Sequence, residues 1–226
     1  TISWISKWET VMERVKKFFE SDAPVKWIFY GDSITHGALH TFGQRDYVEL
    51  FSERVRFELA RTMDIIITTA ISGDNSRGLL NSFDWRVAQF KPDVVFLMIG
   101  MNDCNADNDI EFDEFESNLS ELAAKIGDLG AVPVFQTTCP ILPGQAPERF
   151  PHFDSYMDAI RKVASDRKLP LIDHAQYWKD HADSHFYWMN NAFHPNADGH
   201  RAFAQLIYRC LDIYDENSHS CRFHIP

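Results

Sequence analysis

The sequence predicts an α/β protein, with one sheet of five parallel strands covered by helices on both faces. Three observations lead there. Five short, β-rich apolar runs recur along the chain, and a stretch of helical periodicity fills each interval between them. No repeat, low-complexity tract or linker divides the 226 residues, so they read as one domain. Short strands alternating with helices of this length indicate βαβ units, and hence a parallel sheet.

Taken in order, the first 22 residues place Trp4, Ile5, Trp8, Val11, Met12, Val15, Phe18 and Phe19 at helical spacing. They predict an amphipathic helix stopped before Pro24 and packed on the core. Its polar face mixes charge signs, which favours core packing over a membrane surface. The strands are expected at Val25 to Tyr30, Ile65 to Ala70, Val94 to Ile99, Val132 to Thr137 and Leu169 to Ile172. Helices are expected at Tyr47 to Arg61, Arg77 to Gln89, Phe112 to Ile126, Ser155 to Arg167 and Ala197 to Tyr214. Pro140 to Phe153, with four prolines, reads as a long loop.

Composition narrows the function. A chain of this length buries roughly 70 % of its unfolded surface, enough for a core without staples. It holds no run of about 20 apolar residues that would span a bilayer. The net charge of −11 argues against nucleic acid and against anionic lipid surfaces, which need clustered Lys and Arg. Cys104, Cys139, Cys210 and Cys221 form no CxxC and read as buried thiols, although each successive pair could lie close. The first residues show no basic-plus-apolar leader; a trimmed chain would look the same, and the compartment stays open.

Ligands of open parallel sheets bind beyond the carboxyl ends of the strands. Three short motifs are predicted there: Gly31-Asp32-Ser33-Ile34-Thr35-His36-Gly37, Ile71-Ser72-Gly73-Asp74-Asn75-Ser76 and Gly100-Met101-Asn102-Asp103. A fourth, Phe193-His194-Pro195-Asn196-Ala197-Asp198-Gly199-His200, leads into the last helix. Each alone has a bland explanation as a turn, a strand end or a helix cap. Together they bring a serine, a glycine, an amide and a histidine to places that one site can collect.

This ordered set resembles the four sequence blocks of the SGNH/GDSL hydrolase family, over Gly31 to His200. The resemblance implies a flavodoxin-like, three-layer α/β/α sandwich and a serine esterase without cofactor or metal. It makes Ser33 the nucleophile and His194 the general base. The N–H groups of Ser33 and Gly73 and the side-chain amide of Asn102 would form an oxyanion hole. The residue types suit the chemistry. A serine hydroxyl attacks an ester only when an imidazole takes its proton. Donors aimed at the developing oxyanion are worth about 10²–10³ in turnover each.

One position departs from the family pattern. Three residues before the histidine the family has Asp, and here stands Asn191. An asparagine accepts a hydrogen bond but brings no charge to an imidazolium. Three readings stay open: a Ser–His dyad oriented by Asn191 or a backbone carbonyl; a carboxylate from elsewhere, with Asp183 as candidate; or a weakened enzyme, including a pseudo-hydrolase that only binds carbohydrate.

Rings flank the motifs: Phe83 and Trp85 after the second, and Trp178, Phe186, Tyr187 and Trp188 before the fourth. Trp85 and Trp188 are the candidates for substrate contact, with core packing as the alternative. A saccharide or other small ester with a short acyl group, foremost acetyl, is the expected substrate; lysophospholipids and acyl thioesters are the alternatives within the family. His36, His40, His174, His181, His185 and His200 show no HExxH or comparable metal spacing. Arg45 and Arg77 read as surface ion pairs, and Asp32 as a turn partner.

Overall fold

The computed structural model describes residues 9–222. Five parallel strands form one sheet: β1 (Lys26–Gly31), β2 (Ile65–Thr68), β3 (Val94–Met98), β4 (Val132–Gln136) and β5 (Leu171–Ile172), in the order β2-β1-β3-β4-β5. β1, β3 and β4 are buried throughout apart from Lys26, and between Lys26 of β1 and Gln136 at the end of β4 their residues are correspondingly apolar. β2 is an edge strand and stays partly exposed. β1 and β3 pair Phe29 with Phe96, whose rings stack 4.6 Å apart at 6°. Trp27 and Phe51 close around that pair.

The helices are α1 (Glu9–Lys16), α2 (Ser33–His36), α3 (Tyr47–Ser52), α4 (Ser76–Arg86), α5 (Phe112–Asp128), α6 (Phe150–Asp166), α7 (His174–Asp180), α8 (Ala182–His185) and α9 (Ala197–Cys210). The chain runs outward from β1 to β2 through α3. It then doubles back and proceeds through α4, α5 and α6 towards β5. Right-handed crossovers put α3 on one face and α4–α6 on the other. Packing agrees: α3 meets α9, α4 meets α5, and α5 meets α6. The reversal falls between β1 and β3, where connections leave in opposite directions and open a crevice at the strand ends.

The N-terminal helix packs on the core, as its stripe requires: Met12 and Val15 are buried, and Phe18 and Phe19 contact the Trp27 ring. Trp4, Ile5 and Trp8 of the expected helix lie outside the described residues. Local chemistry moves other boundaries. α3 opens on a capping box, with Asp46 accepting from the Glu49 N–H and Glu49 accepting from the Asp46 N–H, and it runs on as a π-helical stretch over Glu53–Glu58. α6 starts at Phe150, inside the expected loop, because Pro151 falls in its first turn, where no N–H is missed. α9 stops at Cys210, and Asp212 turns left-handed at φ 57°. The short α7 and α8 carry too few residues to show periodicity in the sequence.

Candidate active site

Four segments meet at the crevice. β1 ends on Gly31, which pairs in register with Met98 at the end of β3. A Cβ at Gly31 would sit 2.3 Å from the Met98 carbonyl oxygen, so only glycine lets the two strand ends approach this closely. The next turn is α2. Asp32 caps it by accepting from the Ile34 N–H at 2.9 Å, and Gly37, at φ +68°, closes it. Ser33 is thereby held in the first position of a helical turn, directly beyond the strand.

The second segment is bound to the first. The Ile71 N–H donates to the Gly31 carbonyl at 3.1 Å. Gly73 adopts φ +85°, and a Cβ there would meet nothing within 4 Å. Its requirement for glycine is therefore conformational, and the space beside it is open. From the third segment, the Asn102 amide donates one hydrogen to the Asp74 carbonyl at 2.8 Å, and the second N–H remains. The N–H groups of Ser33 and Gly73 donate to no acceptor among the described residues.

The fourth segment folds back on itself. Met189 bridges Pro195, and the Asn190 N–H donates to the His194 carbonyl at 2.8 Å. His194 Nε2 lies 2.8 Å from Ser33 Oγ, across 161 positions of sequence. Asn191 Oδ1 receives the N–H groups of Phe193 at 3.1 Å and His194 at 2.9 Å. An atom that takes two backbone N–H bonds must be the amide's oxygen. His194 Nδ1, 3.1 Å from that same oxygen, must then carry the ring proton and donate it. Nε2 is left with its lone pair facing the serine hydroxyl, the tautomer a general base needs. Burial, helped by the positive charge of Arg149 nearby, pushes the His194 pKa down to about 4.

Asp183 is exposed on α8; the partner at His194 Nδ1 is Asn191. Trp188 needs correcting as a substrate contact: it is 1 % exposed, wedged against Tyr177 and Trp178, with no face left for a ligand. Trp85 is exposed and lines a groove with Ile67 to Ile71 along the β2 edge. Phe83 and Trp178 are core rings, whereas Phe186 and Tyr187 are exposed. Tyr187 adjoins the fourth segment, its carbonyl accepting from the Asn196 amide at 2.7 Å. Asn196 caps α9, and buried His200 accepts from the Tyr47 N–H. Arg45 pairs with Glu53, and Arg77 with Glu114. All four cysteines are free and buried. Among the described residues no group of His, Cys, Asp or Glu is placed to hold a metal ion, and no helix is long and apolar enough to cross a membrane.

Two residues of the site escaped sequence reasoning. Arg86, 2 % exposed at the end of α4, donates to the carbonyls of Thr69 at 2.8 Å and Gly31 at 3.1 Å. It also pairs with Asp74 and lies over the Tyr30 ring, tying the first two segments together. A lone cation on the inward face of α4 was the available signal. His40, grouped with the other histidines above, stacks on His194 with ring centroids 3.7 Å apart. Behind the serine, burial pushes the Asp32 carboxyl up to about 7, and Asp103 up to about 6.

A five-stranded parallel sheet in this order, with a hydrogen-bonded serine and histidine at its switch point, defines an α/β fold with a Ser–His pair at its strand ends. The family model of GDSL-like lipases/acylhydrolases matches residues 29–202, and the chain belongs to that family. Among solved structures it is similar to Axe2, an acetylxylan esterase from Geobacillus stearothermophilus (TM-score 0.71, 23 % identity, 83 % of this chain and 94 % of that one). It is likewise similar to the acetyl xylan esterase AlAXEase (TM-score 0.71, 24 % identity, 82 % and 98 %). A third is LAE5, an alpha/beta hydrolase from the metagenome of Lake Arreo, Spain (TM-score 0.70, 24 % identity, 84 % and 96 %). At these identities the likeness is one of fold. An uncharacterized protein of Mycoplasma pneumoniae is 30 % identical over 122 residues, covering 53 % of this chain; the match spans 14 % of that relative's length.

Proposed function

We propose that the protein is a serine ester hydrolase that removes short acyl groups, foremost acetyl, from carbohydrate or similar small esters through an acyl-enzyme. The observation that carries this is the contact between Ser33 Oγ and His194 Nε2 at 2.8 Å, with the ring tautomer set by Asn191. As Ser33 Oγ attacks the ester carbonyl, its proton passes to Nε2. The carbonyl oxygen takes up the electron pair and turns towards the N–H groups of Ser33 and Gly73 and the second N–H of Asn102. Collapse of the tetrahedral adduct expels the alcohol, which receives the proton from Nε2. A water deprotonated by the same nitrogen then releases the acid and restores Ser33.

Membership of the GDSL-like family supports the reaction class. Axe2 structures described as catalytic mutants include alanine replacements of a serine, a histidine and an aspartate, the last two three positions apart. Asn191 and His194 have that spacing here. The acetyl-carbohydrate preference draws on the same neighbours and on the exposed rings of Phe186 and Tyr187 beside the fourth segment. Exposed Leu39 and Phe42, on either side of His40, favour a second reading, a lipase-like preference for longer acyl chains.

A fluorophosphonate probe tests the reaction class. The native protein is expected to label and to hydrolyse p-nitrophenyl acetate, and Ser33→Ala to do neither while keeping its circular dichroism. Absence of both in the native protein would overturn the proposal and leave a carbohydrate-binding protein. Turnover that rises from acetyl to octanoyl esters would favour the second reading.

A further inference from the structure

We propose that His40 is a positioning residue for His194, holding its ring in plane and offering it a π-face where a triad carboxylate would otherwise supply charge. The inference rests on the esterase reading of Ser33 and His194. The two imidazoles lie face to face, centroids 3.7 Å apart and planes within 11°. Two successive asparagines anchor them in parallel. Asn190 Oδ1 lies 3.3 Å from His40 Nδ1, and Asn191 Oδ1 lies 3.1 Å from His194 Nδ1. An amide oxygen only accepts, so each ring carries its proton on Nδ1 and keeps its lone pair on Nε2. The loop bearing His40 is shaped for the purpose. Leu39 and Phe42 hold left-handed backbone at φ 69° and 53°, a costly conformation for side-chain-bearing residues, and they bracket this position.

The need for such a partner follows from what surrounds the base. When Nε2 takes the serine proton, His194 becomes an imidazolium. Asn191 faces it without charge. Arg149, at the start of α6, lies 4.3 Å over the neighbouring Phe193 ring, and its charge opposes the imidazolium. Buried His200 on α9 interacts electrostatically with both rings and adds no negative charge. Among the described residues no carboxylate hydrogen-bonds to His194. The Phe193 ring also touches His194, 4.6 Å away but tilted by 42° and carrying Arg149 over its face, so the electron-rich face of a neutral His40, stacked in parallel, is the better placed group to stabilise the cation. A positive charge on His40 would act in the opposite sense.

The test compares His40→Ala, His40→Phe and Asn190→Ala in the full chain with p-nitrophenyl acetate. His40→Ala is expected to lower kcat about tenfold at unchanged KM, the size of a partly buried cation–π contact. His40→Phe, which keeps a face but no ionisable nitrogen, should recover most of that loss. His194 must be neutral to act, so activity falls as pH drops through its pKa; without the π-face of His40 the imidazolium loses a stabilising contact and that pKa falls. The acid limb of kcat/KM should therefore move to lower pH in His40→Ala and return towards the native position in His40→Phe, and ¹⁵N NMR of the His194 ring should show the same order without substrate. Native-like kcat, acid limb and ring titration in all three variants would overturn the inference, even with fluorophosphonate labelling intact. Missing labelling of the native protein would instead strike the esterase reading, while the NMR arm still decides the His40 contact. Should His40→Ala not fold, the Phe and Asn190 variants carry the test.

Discussion

Asn191→Asp puts a carboxylate oxygen where Asn191 Oδ1 now sits, with the same three donors around it. The geometry changes little and the charge changes by one. At the 3.1 Å separation from Nδ1, a unit charge facing an imidazolium is worth about 1.3 kcal/mol in a water-like dielectric and about 5 kcal/mol at an effective dielectric of 20. Asn191 is exposed, so the lower figure governs. It corresponds to about tenfold in kcat, because the interaction strengthens only as the imidazolium forms. The same energy raises the His194 pKa from about 4 by about one unit. The acid limb of the rate profile, lost as pH falls through that pKa, should then move upward by the same amount. Initial rates on p-nitrophenyl acetate between pH 4 and 9, normalised by fluorophosphonate titration of active sites, give both quantities. Unchanged kcat together with an unmoved acid limb would refute the reasoning: the absent charge would then not limit the base.

Arg86→Met strips two strand-end carbonyls and Asp74 of their buried partner. A loss of about 3–5 kcal/mol is expected, lowering Tm by about 10 °C, and a shift below 3 °C in a calorimetric scan would refute the clamp role. Asp32→Asn keeps the α2 cap, since an asparagine oxygen can accept from the Ile34 N–H. In the native chain the Asp32 carboxyl is pushed up to about 7, so the folded state binds the extra proton and stability falls as pH rises from about 4 through 7. The variant should flatten that fall in urea titrations and be more stable than the native chain at pH 8 than at pH 4, relative to it.

The periodic parts of the molecule were readable directly. β1, β3 and β4 are apolar runs because both their faces are buried, and α5 shows its stripe because one face meets the sheet. Where a local competitor intervened, reading slipped. Prolines suggested a loop where Pro151 falls in the first turn of a helix, and Trp188, in a ring-rich stretch beside a motif, went to the core. Aromatic side chains serve cores and ligand surfaces alike, and spacing alone does not separate the two.

By itself the sequence determined the alternation of strands and helices and the order of the four segments. These are local matters, decided by backbone sterics and by which side of an element turns inward. The tertiary structure alone decided that β1 lies between β2 and β3, and therefore that Ser33 meets His194 at the reversal point. It also decided that Asn191 sets the ring tautomer, that His40 covers the imidazole, and that Arg86 binds two segments together. Such contacts join residues far apart in the chain, and their partners are chosen by the closure of the whole sheet, which no short window of residues records.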